Sequence, residues 1–356
     1  MEDISFYVCL PFYNSPEYIN EAIESVLRQR YGQYHLILVD DGSIDNSRAI
    51  CNQYVAKYSY VHLITQENQG PFVARLTAIN KAKELSSGKD ETPFVIFLDA
   101  DDELAPNAFD TIVQAVKETP GTDTVIFGYD RMDTSGMTYH DKGVFHSGVV
   151  ENKNELMCII ISKKYDTLWT KATRLDLFDD ISLEFNNSLR IGEDGVLTMA
   201  LLNKSRKAVF ITDRLYYYRE NPSSTVHTIH FSKVMEDYSP KFNYIYNMLV
   251  EEGCSDECIA EFIDQQVMFL PSYMFNVFRD KGASLRDKKQ TISLVHDISF
   301  IDRIFTHDKH RLRIWIIKLF YNGHYIIGGG VALIIKSLSV IKRKIAQFMG
   351  GASKKS

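Results

Sequence analysis

The chain has 356 residues, 45% hydrophobic and 24% charged, an ordinary globular composition; 19 Gly and 9 Pro exclude collagenous, low-complexity and wholly disordered chains. Its length exceeds what one hydrophobic core fills, so two domains, or a core with appendages, are expected. The net charge of −6 hides an asymmetry: residues 309–356 hold ten Lys/Arg and no Asp or Glu, leaving the preceding 308 residues with 30 basic and 46 acidic side chains.

The N-terminal stretch has no basic n-region and no small-residue cleavage site, so no secretory signal is expected. Five scattered cysteines, Cys9, Cys51, Cys158, Cys254 and Cys258, describe no disulfide framework. A reducing, cytoplasmic setting follows from both. Short β-branched and aromatic runs predict strands over 6–10, 36–39, 61–64, 94–98 and 124–127. Amphipathic stretches predict helices over 16–30, 45–58, 72–85 and 106–117, two of them with Pro near the start. This βαβ series predicts an α/β fold with a doubly wound, Rossmann-like sheet, whose ligands bind beyond the carboxyl ends of the strands.

Residues 128–219 read as the second half of the same domain, with an aromatic segment at Leu168-Trp169 and a strand ending over 215–218. Helical stretches over 234–252 and 256–279 follow, interrupted at Gly253 and Gly282. The expected organisation is a catalytic domain over 1–225, a helical region over 226–308 and a basic amphipathic tail over 309–356. Within the tail the longest uncharged run, 319–335, has 17 residues. That is at the lower limit of the ~17–25 needed to span a bilayer. In-plane attachment fits better, with Lys342–Lys344 and Lys354-Lys355 among anionic headgroups. Ile314, Trp315, Ile316, Ile317, Leu319 and Phe320 disfavour a solvated nucleic-acid-binding arm. Cys254 and Cys258 have no partner set at zinc spacing.

Four polar clusters stand where strands should end: Pro11-Phe12-Tyr13-Asn14, Asp40-Asp41-Gly42-Ser43, Glu67-Asn68-Gln69-Gly70 with Arg75 soon after, and Asp99-Ala100-Asp101-Asp102. Carboxylates crowded at a buried strand's mouth repel unless a cation separates them, and a hard ion such as Mg²⁺ or Mn²⁺ would also neutralise a diphosphate. The plainer reading of the same residues is a loop capping the next helix. Asp40 and Asp41 either form a turn or accept a hydrogen bond from a nucleobase N–H. Arg75 suits a phosphate or nucleobase contact. Downstream, Arg190-Ile191-Gly192-Glu193-Asp194-Gly195 either caps a helix or supplies a general base for an acceptor hydroxyl. Arg219 and His227 are expected together on a loop, His227 as a metal or phosphate contact.

Together these pieces resemble the family 2 glycosyltransferases, inverting enzymes of GT-A fold. The matching residues are Pro11-Phe12-Tyr13-Asn14, Val39-Asp40-Asp41-Gly42-Ser43, Asn68-Gln69-Gly70 with Ala74-Arg75, Phe97-Leu98-Asp99-Ala100-Asp101-Asp102, and Gly192-Glu193-Asp194, over residues 4–220. The resemblance implies a mixed GT-A sheet and a UDP-sugar site in which Pro11, Tyr13, Asn14, Asp40, Asp41, Ser43, Asn68, Gly70, Arg75, Asp99, Ala100 and Asp101 face the donor. It implies Asp101 as the metal ligand and Asp99 as the acid that contacts ribose or metal-bound water; with His227 read from its own loop, the expected metal set is Asp101, Asp99 and His227. It also implies Asp194 as the base, Glu193 orienting the acceptor, and Trp169 and Lys171 lining the acceptor cleft. Family members commonly show Ala-Arg-Asn-x-Gly, whereas here Arg75 is followed by Leu76-Thr77-Ala78.

The implied activity is metal-assisted transfer of a sugar to a glycan or lipid-linked acceptor in cell-surface polysaccharide synthesis, on the inner face of the plasma membrane and without nucleic-acid partners. The alternatives are a catalytically silent nucleotide-sugar-binding protein and a sugar-nucleotide pyrophosphorylase. The latter calls for a Gly-rich basic loop after strand one, which Leu10-Pro11-Phe12-Tyr13-Asn14 is not. No GxGxxG follows a strand and no GxxxxGK[ST] occurs, so dehydrogenases and P-loop enzymes are disfavoured too. Three roles are open to 226–308: packing on the catalytic domain, forming a homodimer, or holding the acceptor.

Overall fold

The computed structural model describes residues 3–133, 136–140, 146–163, 165–179, 181, 192–221, 231–280 and 282–324. They form two compact units, Met1–Thr228 with Glu252–Cys254, and Ile229–Glu251 with Ser255–Ser356. Among the described residues, 192–221 belong to the first unit, and 309–324 fall in the same unit as the helices before them.

In the first unit the strands are β1 (Ile4–Phe12), β2 (Tyr34–Asp40), β3 (Val61–Thr65), β4 (Thr92–Phe97), β5 (Glu103–Leu104), β6 (Thr124–Met132), β7 (Thr138–His140), β8 (Gly148–Val150), β9 (Lys171–Arg174) and β10 (Ala208–Arg219). The helices are α1 (Ile19–Leu27), α2 (Ser47–Lys57), α3 (Pro71–Ser86), α4 (Ala108–Glu118), α5 (Lys153–Lys163) and α6 (Glu193–Lys204). One ten-stranded sheet runs β3-β2-β1-β4-β9-β6-β10-β5, with β7 on β6 and β8 on β10. Strands β1 to β4 are mutually parallel where they pair. β9 lies antiparallel to both β4 and β6, which makes the sheet mixed.

Both faces of β1 are covered, and that is why Phe6, Tyr7, Val8, Cys9 and Leu10 are all buried without alternation. Helix α1 buries Ile19, Ala22, Ile23 and Val26, the i, i+3, i+4, i+7 stripe of an amphipathic helix. Helix α4 sends in Phe109, which stacks on Phe6 at 4.5 Å. The β1 strand runs two residues past its expected end, so Pro11 and Phe12 lie in the ladder rather than beyond it.

Parallel strands place their carboxyl ends on one edge, and the backbone ties those ends together. Asp41 N–H donates to the Phe12 carbonyl at 2.9 Å, Gln66 N–H to Asp40 at 3.0 Å and Leu98 N–H to Cys9 at 3.0 Å. Because β2 and β4 flank β1, the strand order reverses there, and the crevice of a doubly wound sheet opens at that point.

The second unit is helical: α7 (Phe231–Glu251), α8 (Asp256–Arg279), α9 (Leu285–Ser293), α10 (Ile301–Thr306) and α11 (Arg311–Tyr321). Its core includes Leu249, Val267, Leu270, Met274, Phe300, Ile304 and Ile317. Ser255 caps α8, and a Ser284/Asp287 capping box starts α9. Among the described residues no helix is long and apolar enough to cross a membrane.

Candidate active site

Each carboxyl-end loop is held by specific bonds. Asp40, fully buried, accepts from Ser43 N–H at 2.8 Å and pairs with Arg48. Ser43 Oγ accepts from Asn14 N–H at 3.0 Å, and Asn14 Oδ1 accepts from Ile44 N–H at 3.0 Å. The two loops therefore brace each other and leave Tyr13 exposed. Asp41 accepts from Gln66 Nε2 and Gln69 N–H through Oδ1, and from Gly70 N–H through Oδ2, at 2.8–2.9 Å. A carboxylate offers about four acceptor positions, so Asp41 is largely spent on shaping the 66–70 loop, with one position left on Oδ2. Asn68 stands exposed on that loop.

Gly42 has φ +81°, and a Cβ there would sit 2.9 Å from the Asn68 backbone nitrogen. Gly42→Ala is expected to cost about 1–2 kcal/mol for the left-handed backbone alone, with more from the clash, read as a lower Tm.

Gly70, at φ +91°, precedes Pro71, which starts α3 at the position where a missing N–H is tolerated. The helix carries Arg75 inward, 5% exposed. Its Nη1 lies 2.9 Å from Glu193 Oε1 and 3.0 Å from Asp194 Oδ1, and its Nη2 lies 3.2 Å from Asp99 Oδ1. One guanidinium thereby joins the loop after β4 to the first turn of α6, where acidic side chains also suit the helix dipole. Arg75 Nε is buried without a hydrogen-bond partner among the described residues. Burial opposes the charge on Arg75, but Asp194, Asp99 and Glu193 together hold its pKa above the ordinary arginine value.

The loop after β4 is crowded with negative charge. Burial raises the Asp99 pKa, helped by Asp101 and Glu193 and opposed by Arg75. Burial likewise raises Glu193, with Asp194 adding and Arg75 subtracting. Asp102, 1% exposed, is raised well above the usual carboxylate range by burial and then by Asp101 and Asp99. It accepts from Tyr216 Oη and from Arg219 N–H, both at 2.7 Å. Tyr216 Oη also accepts from Asp99 N–H at 3.2 Å. Arg219 Nε donates to the Asp101 carbonyl at 2.9 Å, and its Nη2 reaches Glu21 at 2.5 Å and Glu103 at 3.0 Å. Asn221 Nδ2 donates to Asp101 Oδ2 at 3.0 Å.

Asp99 and Asp101 are hard oxygen donors in a site already over-supplied with negative charge, the chemistry that suits a divalent cation. Among the described residues no three His, Cys, Asp or Glu side chains form a group able to hold an ion by themselves. A cation here would need further oxygens, and a diphosphate carries them. His227 lies outside the described residues.

Three expectations change. Arg219 is the last residue of β10, not a loop cation, because its guanidinium pairs across to Glu103 of the neighbouring strand. Trp169, 8% exposed, stacks on Tyr216 at 4.6 Å and Tyr218 at 5.6 Å, inside the core rather than on an open cleft wall. Lys171, 3% exposed, donates from Nζ to the Tyr165 carbonyl at 2.8 Å, to that of Thr167 at 2.5 Å and to Thr170 Oγ1 at 3.3 Å, tying the 165–170 loop to β9. Burial pushes its pKa down to about 7, against the pull of Asp166 and Asp194.

Sequence reasoning gave no role to Asp102 or Tyr216, nor to Arg48, Gln66 and Asn221. A usable signal existed for Tyr216: Tyr216 and Tyr218 alternate along a strand and so face one side. Partners of the others are set by loop geometry.

The chain matches the model of the family described as Glycosyl transferase family 2 over residues 7–179. It is 29% identical to glycosyltransferase GlyG of Streptococcus pneumoniae over 232 residues, covering 62% of this chain and 72% of GlyG. It is 27% identical to the poly(ribitol-phosphate) beta-N-acetylglucosaminyltransferase TarS of Staphylococcus aureus over 304 residues, 83% of this chain but 49% of TarS. The minor teichoic acid biosynthesis protein GgaA of Bacillus subtilis is 24% identical over 318 residues, 85% of this chain and 68% of GgaA. The crystal structure of S. aureus TarS 1–349 in complex with UDP-GlcNAc shares the fold, at TM-score 0.70 and 20% identity, over 92% of this chain and 90% of that one.

Proposed function

Because the chain belongs to glycosyltransferase family 2 and is a glycosyltransferase, we propose that it transfers a sugar from a UDP-sugar to a hydroxyl of a glycan or lipid-linked acceptor in surface-polymer synthesis, with inversion. The observation that carries this reading is the Arg75 junction, which draws Asp99 and the Glu193-Asp194 pair onto one guanidinium. A donor-diphosphate group and a proton acceptor are thereby close enough to act on one substrate pair. UDP as the carrier is supported by the TarS fragment, which has the same fold and was crystallised with UDP-GlcNAc. Surface-polymer synthesis is supported by the names of TarS and GgaA.

In this reading the braced loops bearing Pro11, Tyr13, Asn14, Asp40, Asp41, Ser43, Asn68 and Gly70 receive the uridine. Asp101 and Asp99, with Ala100 between them, would hold Mn²⁺ or Mg²⁺, which when bound supplies Lewis-acid neutralisation of the leaving diphosphate. Asp194 Oδ takes the acceptor hydroxyl proton as the oxygen attacks the anomeric carbon from the side opposite the diphosphate. Glu193, buried against Arg75, fixes the turn that aims Asp194. Trp169 and Lys171 act behind this surface, by holding the 165–170 loop and the Tyr216 ring in place.

The test is isothermal titration with UDP, with and without Mn²⁺, on the wild type and on Asp101→Ala. Metal-dependent binding that the variant loses is the expected result. Absence of binding by UDP, and then by GDP and dTDP, with either metal would overturn the donor assignment.

A further inference from the structure

The expected membrane contact of the basic tail can be given a surface among the described residues. Helix α11 docks on the second unit through Ile314, Ile316, Ile317 and Phe320, all buried. Arg313 adds a bond from Nη1 to the Met268 carbonyl at 2.7 Å, and Lys318 lies over the Phe305 ring. These contacts fix the helix and define its opposite face. There Leu312 is 53% exposed and Trp315 46% exposed, three residues apart on one side of the helix, with Lys309 and Arg311 exposed beside them.

We propose that this face of α11 is a docking surface for an anionic lipid bilayer, with Leu312 and Trp315 entering the headgroup region and Lys309 and Arg311 pairing with lipid phosphates. Three observations favour that occupant. An exposed Trp beside an exposed Leu on an otherwise well-packed helix is an apolar anchor with a polar N–H, the side-chain type that settles at the membrane interface. Cations in the first turn stand at the positive end of the helix dipole, where helix stability alone disfavours them and an anionic partner compensates. From Lys309 onward the sequence has ten basic and no acidic residues, the nearest acid in sequence being Asp308. A nucleic acid would use the cations but leave Leu312 and Trp315 in water; a bilayer uses both.

The chain has two tryptophans, and the other, Trp169, is buried in the sheet unit. A blue shift of tryptophan emission on adding vesicles would therefore report Trp315. The experiment is co-sedimentation and emission of the full chain with vesicles of phosphatidylcholine, with and without about a third phosphatidylglycerol. Expected results are binding and a blue shift with the anionic vesicles only, and weakening by added salt. Leu312→Asp/Trp315→Asp is expected to lower partitioning at least about tenfold. Lys309→Glu/Arg311→Glu is expected to remove the preference for phosphatidylglycerol. Trp315→Phe, which keeps the apolar contact and removes the reporter, should bind without the shift. Failure to bind anionic vesicles, equal binding to both vesicles, or binding unchanged by Leu312→Asp/Trp315→Asp would overturn the proposal. So would binding to duplex DNA in place of vesicles. UDP binding is read separately in the same preparations, so loss of one function is distinguishable from loss of the other.

Discussion

Asp194→Asn is expected to lower kcat for sugar transfer by about 10²–10⁴-fold, the range that a positioned general base contributes. The amide keeps the shape of the side chain and removes the proton acceptor. Affinity for UDP should stay within about threefold, because Asp194 is joined to the nucleotide end of the site through Arg75, which keeps Glu193 and Asp99 as partners. A single-turnover assay with enzyme in excess over donor, beside the UDP titration, separates the two quantities. Wild-type kcat in the Asn variant would remove Asp194 from the chemistry, and Glu193 would be the next carboxylate to test.

Arg75→Met is expected to give the largest loss of stability of any single substitution in the site, about 3–5 kcal/mol at neutral pH, as when one partner of a buried ion pair is removed. Methionine approximates the aliphatic stem, so the deficit comes from leaving Asp99, Glu193 and Asp194 facing one another. The pH dependence has a definite sign. Asp99 and Glu193 already have folded pKa values above the ordinary 3.8 and 4.5, and Arg75 is what opposes a further rise. A group whose folded pKa is raised adds stability that is full below its unfolded pKa and is lost as pH climbs through the folded one. The deficit of Arg75→Met should therefore be smallest in mildly acidic buffer and grow toward neutral pH, measured as the urea midpoint across that range. A deficit that grew on acidification would mean that the three carboxylates are not what Arg75 neutralises.

Much of the sheet was legible because its signals are local. Apolar runs such as Phe94-Val95-Ile96-Phe97 mark strands buried on both faces, and the acids that follow them mark carboxyl ends. The strand order and the mixed direction were not legible from such runs. β9 is only four residues long, and its sequence, Lys171-Ala172-Thr173-Arg174, carries a buried lysine where a core strand should be apolar. The candidate site divides in the same way. Asp99, Asp101, Glu193 and Asp194 could be singled out because they stand at a strand end and a helix start among several polar clusters, although acids at a helix start also serve as ordinary caps. That Arg75 joins them could not, since its partner Glu193 is 118 positions away and is found only once α3 and α6 are placed. Trp169 was legible only through the resemblance, which places it at the acceptor cleft, while its ring neighbours are Tyr216, Tyr218 and Tyr129.

The antiparallel β9 in the middle of the sheet has a consequence for how the protein is made. While residues up to β6 have emerged from the ribosome, β4 and β6 present facing edges with nothing between them, because β9, the strand that pairs with both, comes about forty residues later. The mouth waits longer still, since Tyr216 and Arg219, which fasten Asp102 and the Asp101 carbonyl, arrive with β10. The nascent enzyme therefore carries two sticky strand edges exposed until β9 is synthesised and its acidic loop unfastened until β10 follows, and that interval is when chaperone capture or misassembly would compete with folding.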